Sequence, residues 1–266
     1  MSHFDLVEST PNLITRATLT ENLRNLGVEA NDVIMPHISL SSIGWICGGA
    51  EALILAMVDA IGVSGTLVMP AMNSNNTDPK NWVNPPVPES WWDGIRNNMP
   101  PFKPESSPTA NIGCVPELFR TLPNVLRSNH PSCSVAALGS KAQHVIESHQ
   151  LEDPFGETSP FRKLYDLDAK ILLVGVGYDT CSILHLAETR GMKLGKVSEG
   201  SAVVHNNQRI WKDYDMPEVD SDRFPDVGEK MESTLPKSVN KGKIGNSNCT
   251  IFQAKSAVDF FEAHLA

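Results

Sequence analysis

Two short apolar runs, Asp32-Val-Ile-Met-Pro36 and Thr66-Leu-Val-Met69, bracket a stretch with helical periodicity from Ala50 to Ile61. Leu53, Met57, Ala60 and Ile61 share one face of that helix, and Gly62 stops it. Residues 32–69 are therefore predicted to form a βαβ unit, which requires a parallel sheet. Upstream, Thr18-Leu-Thr-Glu21 has capping-box spacing and opens a short helix that ends at Gly27. A third apolar run, Ile171 to Val176, reads as a buried strand that turns at Gly175 and Gly177. A short helix follows with Ile183, Leu186 and Ala187 inward, and Thr180 or Ser182 as its cap. Ser140-Lys-Ala-Gln143 and Ser159-Pro160 have the form of two further helix starts. Residues 202–214, centred on Asn206-Asn207, predict a β-hairpin, and Cys249–Phe252 with Ser256–Leu265 predict a strand and a closing helix. The expected fold class is α/β: a central, largely parallel sheet flanked by helices, with a C-terminal β-hairpin or antiparallel extension. One domain spans 1–266, with 200–254 as a smaller β-rich extension.

Composition narrows the function. At 266 residues and 41% hydrophobic content the chain can bury a large core. The formal charge of −9 disfavours nucleic acid and favours a cationic or neutral ligand. No apolar run approaches the roughly 20 residues that span a bilayer, and the first residues, Met1-Ser-His-Phe-Asp-Leu-Val-Glu8, lack the basic and apolar regions of a secretory signal. Five scattered cysteines suit reduced thiols in the cytoplasm, and their spacing suggests no metal site. Residues 73–110 hold eight of the nineteen prolines and three of the five tryptophans, which marks an excursion serving as a lid or a binding wall.

Two places carry candidate chemistry. Glu188 lies three residues after His185, so the two are helix neighbours just past the carboxyl end of a central strand, where open α/β sheets bind ligands. A carboxylate orients an imidazole and stabilises its charged form, so the pair either takes up a proton in catalysis or is a local salt bridge. The second place is His37-Ile-Ser-Leu-Ser-Ser-Ile-Gly-Trp-Ile-Cys-Gly-Gly49, between a strand and a helix N-terminus. There backbone amides converge, Ser39, Ser41 and Ser42 add hydroxyls, and Gly44, Gly48 and Gly49 permit close approach. Either an anion binds or the loop is a tight turn that packs the helix. Neither a Walker loop nor GxGxxG is present.

Nine segments, in order, resemble the aminoglycoside 3-N-acetyltransferase family. They are the 37–50 loop, Gly65–Pro70, Pro108–Gly113, Pro116–Arg120, Arg127–Ala137, Phe155–Pro160, Leu173–Gly177, His185-Leu-Ala-Glu188 and Gly242–Ser247. Two places depart from the usual pattern: Pro36-His37-Ile38, where Val-His-Ser is commoner, and Asn111-Ile112, where Arg-Met is commoner. The resemblance implies a family-specific acetyltransferase fold and a cytoplasmic, antibiotic-modifying enzyme. It uses acetyl-CoA as co-substrate, needs no metal, and acts on the 3-amino group of an aminoglycoside. It implies His185 as the base, Glu188 as its orienting carboxylate, and His37 near the thioester. The loop of Ser39, Leu40, Ser41, Ser42, Gly44, Gly48 and Gly49 is then expected to hold the CoA arm and phosphates, with Ser106 and Ser107 adding to the phosphate side. Asp213, Asp215 and Glu218 lie in a segment, 213–232, with eight acidic and two basic residues, and are the expected counter-charges for a cationic acceptor. That segment also reads as a solvated surface loop, and His130 as either a site residue or a turn residue. Three alternatives stay open: a hydrolase with Ser39 or Ser41 as nucleophile, which lacks the GxSxG elbow; a CoA-binding relative that acts on another amine; and a catalytically silent one.

Overall fold

The computed structural model describes residues 3–265. After α1 (His3–Glu8), α2 (Arg16–Leu26) opens with a reciprocal cap one turn earlier than expected. The Thr18 amide donates to the Thr15 hydroxyl, and the Thr15 amide donates to the Thr18 hydroxyl at 2.9 Å. A threonine oxygen accepts the N-cap amide as well as a Glu does, so the box is Thr15–Thr18 and not Thr18–Glu21. Gly27, at φ 111°, closes the helix in the left-handed region.

Next come β1 (Val33–Ile38), α3 (Leu40–Ile43), α4 (Gly49–Ile61) and β2 (Thr66–Pro70), and β1 and β2 pair in parallel as the βαβ reading required. The excursion contains α5 (Trp92–Asn98) and two single-turn 3₁₀ segments, so it is not structureless. It is pinned along a later strand, Lys196–His205: the Phe102 amide donates to the Ala202 carbonyl at 2.8 Å, and the Asp78 amide donates to buried Glu199. Asp78 is itself buried and takes the Arg96 guanidinium at 2.8 Å.

Then follow α6 (Cys114–Arg120), β3 (Leu126–Arg127), β4 (Val135–Gly139), α7 (Ala142–Ile146), α8 (Pro160–Asp166), β5 (Lys170–Val174) and α9 (Leu184–Gly191). Ser159 caps α8, accepting from the Phe161 amide at 3.2 Å. Ser140 caps nothing, because its hydroxyl donates to the Ser64 carbonyl instead. Neither Thr180 nor Ser182 caps α9: Ile183 holds the cap position, and the Thr180 hydroxyl turns back to the Gly177 carbonyl. The chain closes with β6 (Lys196–His205), β7 (Gln208–Pro217), α10 (Phe224–Thr234), β8 (Val239–Ile244), β9 (Ser247–Gln253) and α11 (Ala254–Leu265). Asn206 and Asn207, both at positive φ (49° and 60°), make the predicted tight turn between β6 and β7.

The main sheet runs β3-β4-β2-β1-β5-β9-β8. Its centre, β2-β1-β5, is parallel, and antiparallel pairs extend both edges. The 200–254 stretch therefore divides: β6–β7 forms a separate two-stranded sheet, whereas β8–β9 continues the main sheet beyond β5. Strand alternation sends Ile34, Leu67 and Leu172 to a face covered by α2, α4 and α6, and Met35, Val68 and Ile171 to the face under α7 to α11. Among the described residues no helix is long and apolar enough to cross a membrane.

Candidate active site

The site begins with two prolines. The Ser39 amide donates to the Val174 carbonyl, so the odd-numbered amides at the end of β1 face β5, and position 36 faces β2. On β2 the Thr66 amide faces the Asp32 carbonyl and the Ala71 amide faces Ser134 of the β4 side, so position 70 faces β1. Pro36 and Pro70 thus withhold donors from the same seam. Pairing of β1 with β2 is confined to Val33↔Thr66 and Ile34↔Leu67, while β1 stays paired with β5 as far as Ile38↔Val174. A cavity of about 460 Å³ lies at these strand ends. His37, Ser39, Met72 and Val176 line it, with Asn111 and Ile112 from the root of the excursion. Pro36–Ile38 and Asn111–Ile112 thus meet in one cavity. Such a crevice, at the carboxyl ends of parallel strands that leave in opposite directions, is where α/β sheets take ligands.

Thr180 and Ser182 close the β5 side, and the His185 amide donates to the Ser182 carbonyl at 3.3 Å. On the first turn of α9, His185 Nδ1 stands 2.7 Å from Glu188 Oε2. The other Glu188 oxygen accepts the Asp220 amide at 2.8 Å, and the residue is only 3% exposed. Phe155 and Phe224 flank the imidazole at centroid distances of 4.7 and 5.0 Å. With both carboxylate oxygens accepting, Nδ1 is the donor, and Nε2 is left with a lone pair for a proton.

His37 is 7% exposed, its Nε2 has no hydrogen-bond partner among the described residues, and burial pushes its pKa down to about 4. Of the rest of the loop, Ile38 and Ser39 line the cavity; Leu40 and Ser41 lie on α3. The Ser42 hydroxyl is engaged with the Ser39 carbonyl at 2.7 Å and the Ser247 hydroxyl at 2.8 Å. Gly44 does not make room for a ligand: a Cβ there would meet Thr10 and Asn246, because the Trp45 and Cys47 amides tie the loop to Thr10 and Ile14. Gly48 is the N-cap of α4 and supplies no side-chain bond, and a Cβ on Gly49 would meet open space.

Ser106 and Ser107 do not line the cavity; the Ser107 hydroxyl closes a turn by accepting the Lys103 amide at 2.9 Å. Asp213 and Asp215 are exposed on the face of β7 opposite buried Tyr214, and Asp213 accepts the Trp211 indole N–H at 2.9 Å. Exposed Glu218 uses its amide to hold the Gly195 carbonyl. The acidic segment reaches the histidine pair through a backbone group, the Asp220 amide, rather than through these three carboxylates. Sequence reading missed that amide and the two phenyl rings, because backbone donors and cross-chain ring contacts leave no local pattern. His130 is fully buried in a turn, where its Nδ1 accepts the Ser132 and Cys133 amides at 3.3 and 3.0 Å.

A second cavity, about 530 Å³, lies between residues 102–105, 149–152 and the β6–β7 hairpin. It is larger, but of the two histidines His37 lines only the strand-end crevice, and His185 lines neither cavity and stands one turn beyond Ser182. No group of three or more potential metal ligands occurs among the described residues.

Comparison with known proteins gives the family and the fold. The family described as aminoglycoside 3-N-acetyltransferase matches residues 35–266. The chain is 41% identical to the Bacillus subtilis prophage-derived aminoglycoside N(3')-acetyltransferase-like protein YokD, over 97% of this chain and 94% of that one. The YokD crystal structure superposes with a TM-score of 0.96, covering 98% of this chain and 97% of that chain. Aminoglycoside N(3)-acetyltransferase IX of Micromonospora chalcea is 31% identical, over 100% of this chain and 99% of its own. The structure described as AAC-IIIb binary with CoASH matches at a TM-score of 0.86 and 27% identity, covering 96% of this chain and 97% of that chain.

Proposed function

The chain belongs to the aminoglycoside 3-N-acetyltransferase family, and we propose that it moves the acetyl group of acetyl-CoA to the 3-amino group of an aminoglycoside, with His185 as the base. The observation that carries this reading is the 2.7 Å His185–Glu188 contact one turn beyond the crevice. An alkylammonium with a pKa near ~10.4 is not a nucleophile at neutral pH, so a base must take its proton before nitrogen can attack a carbonyl. His185 Nε2 is free to do so, and buried Glu188 stabilises the imidazolium that results. Phe155 and Phe224 hold the ring between them.

The co-substrate fits the crevice by chemistry. Its walls of Pro36, Ile38, Met72 and Val176 suit an aliphatic arm, and unpartnered His37 suits a polar atom of the acyl end. Ser39, Leu40 and Ser41 border the arm, and the uncapped α4 N-terminus at Gly48 and Gly49 faces the phosphates. Ser42 and Gly44 support this loop from behind. Exposed Asp213, Asp215 and Glu218 draw a polycation through their field rather than by contact at His185. The test is thiol release from acetyl-CoA with aminoglycosides that carry or lack the 3-amino group. Release that depends on that amine is expected. Tight CoA binding with no release across the panel would instead leave a catalytically silent CoA-binding protein.

A further inference from the structure

His37 pairs with Leu173 one residue before the paired part of β1 ends, on the wall of the crevice that Pro36 and Pro70 open. A buried ring nitrogen without a partner costs about 1–3 kcal/mol. Packing does not require this cost, because a leucine would fill a similar space without it. The partner therefore comes with whatever enters the crevice. Burial, with no carboxylate to offset it, holds the pKa at about 4, so at neutral pH the ring is uncharged and carries one N–H. Such a ring is a poor base for an ammonium and a good donor to an oxygen that gains charge. His185 is arranged differently, with a carboxylate 2.7 Å from its Nδ1.

We infer that His37 donates its N–H to the carbonyl oxygen of the acyl donor and stabilises the oxyanion of the tetrahedral intermediate, while His185 alone moves the proton. This rests on the acetyl-transfer reading above. As the amine nitrogen bonds to the carbonyl carbon, the π pair moves onto oxygen, facing the His37 N–H. The pair returns when the C–S bond breaks: sulfur leaves with one proton that His185 took from nitrogen, and the second proton that the ammonium sheds on its way to the amide goes to solvent. His37 keeps its own proton throughout.

His37→Leu removes the donor, and His37→Gln retains one. Three quantities separate the roles: kcat for thiol release, the CoA dissociation constant by calorimetry, and the carbonyl ¹³C resonance of [1-¹³C]acetyl-CoA bound without acceptor. Loss of one oxyanion donor costs about 10²–10³-fold in kcat. His37→Leu is expected to show that loss with CoA affinity within about threefold, because free CoA has no acyl oxygen to lose. Wild-type protein is expected to shift the carbonyl resonance downfield, His37→Leu to abolish the shift, and His37→Gln to recover at least about tenfold of the lost kcat. Turnover of His37→Leu near wild type, or an equal loss of CoA affinity, overturns the inference. A wild-type carbonyl resonance at its free position overturns it without any variant. Wild-type protein that neither binds CoA nor releases thiol removes the acetyl-transfer reading itself, a separate outcome.

Discussion

Glu188→Gln exchanges one carboxylate oxygen for an amide nitrogen, and the site has no room to absorb the change. Glu188 accepts two N–H groups, from His185 Nδ1 at 2.7 Å and from the Asp220 amide at 2.8 Å, and is 3% exposed. A glutamine has one oxygen for these two donors. If the oxygen stays on His185, the new NH₂ faces the Asp220 amide, donor against donor, at about 1–3 kcal/mol. If it faces Asp220, the NH₂ meets Nδ1, which must become the acceptor. The ring then carries its proton on Nε2 and cannot take another without charging beside a neutral partner. The second placement avoids the clash, so about 10–100-fold of activity is lost to the tautomer alone. Losing the carboxylate's support of the imidazolium brings the total to about 10²–10⁴-fold in kcat, or roughly 2.7–5.5 kcal/mol of barrier. Steady-state thiol release should show this fall with the KM for acetyl-CoA nearly unchanged. His185→Ala should cost a similar amount, and the double variant little more, because the two act as one unit. Glu188→Gln turnover within tenfold of wild type, with the fold intact by circular dichroism, would falsify the orienting role.

Buried His37 and His149 both have pKa values lowered to about 4, so the unfolded chain binds more protons below about 6.5. Their stability contribution is complete above pH 6.5 and lost as pH falls toward 4, by about 3 kcal/mol each at pH 4; urea midpoints that stay flat from pH 7 to 5 contradict this. Gly175→Ala puts a Cβ at φ 65° against Ser42 and Ser247, so it should lower Tm through ~1–2 kcal/mol of left-handed strain plus ~1–3 of overpacking. An unchanged melting curve would refute that packing argument. Replacing Asp213 and Asp215 with Asn and Glu218 with Gln should raise the acceptor KM, flatten its salt dependence and leave the KM for acetyl-CoA alone. An unchanged acceptor KM and salt slope would move cation recognition elsewhere.

What was legible in the sequence was what local periodicity encodes. The 32–69 unit, the Asn206-Asn207 turn and the His185–Glu188 spacing each follow from neighbours within one element. Other expectations failed where a distant residue competed for the same group. Ser140 turns to the Ser64 carbonyl instead of capping α7, and Ser42 faces Ser247 across 205 positions. Gly44 has the small side that a ligand-binding loop needs, but Thr10 and Asn246 fill the space it leaves. The acidic segment 213–232 reads as counter-charges or as a solvated loop, but its start belongs to β7 and residues 224–232 to α10, and strand alternation turns Asp213 and Asp215 away from buried Tyr214.

The crevice itself depends on a relation no single segment carries. A proline in a strand removes one donor, but which neighbour loses it depends on where that amide points in the assembled sheet. The Ser39–Val174 and Thr66–Asp32 bonds turn Pro36 and Pro70 toward each other, and the ladder stops at Ile34↔Leu67. Across β1, pairing with β5 continues through His37↔Leu173, which holds the His37 backbone in register while one side of its strand is released. The same strand is therefore rigid on the side that leads to α9 and His185, and open on the side that admits a ligand. On the acetyl-transfer reading proposed above, a base that moves a proton and a donor that keeps one need different surroundings, and the sheet offers two on adjacent strands. The buried carboxylate comes from the helix after β5, and the dry, unpaired wall comes from the end of β1.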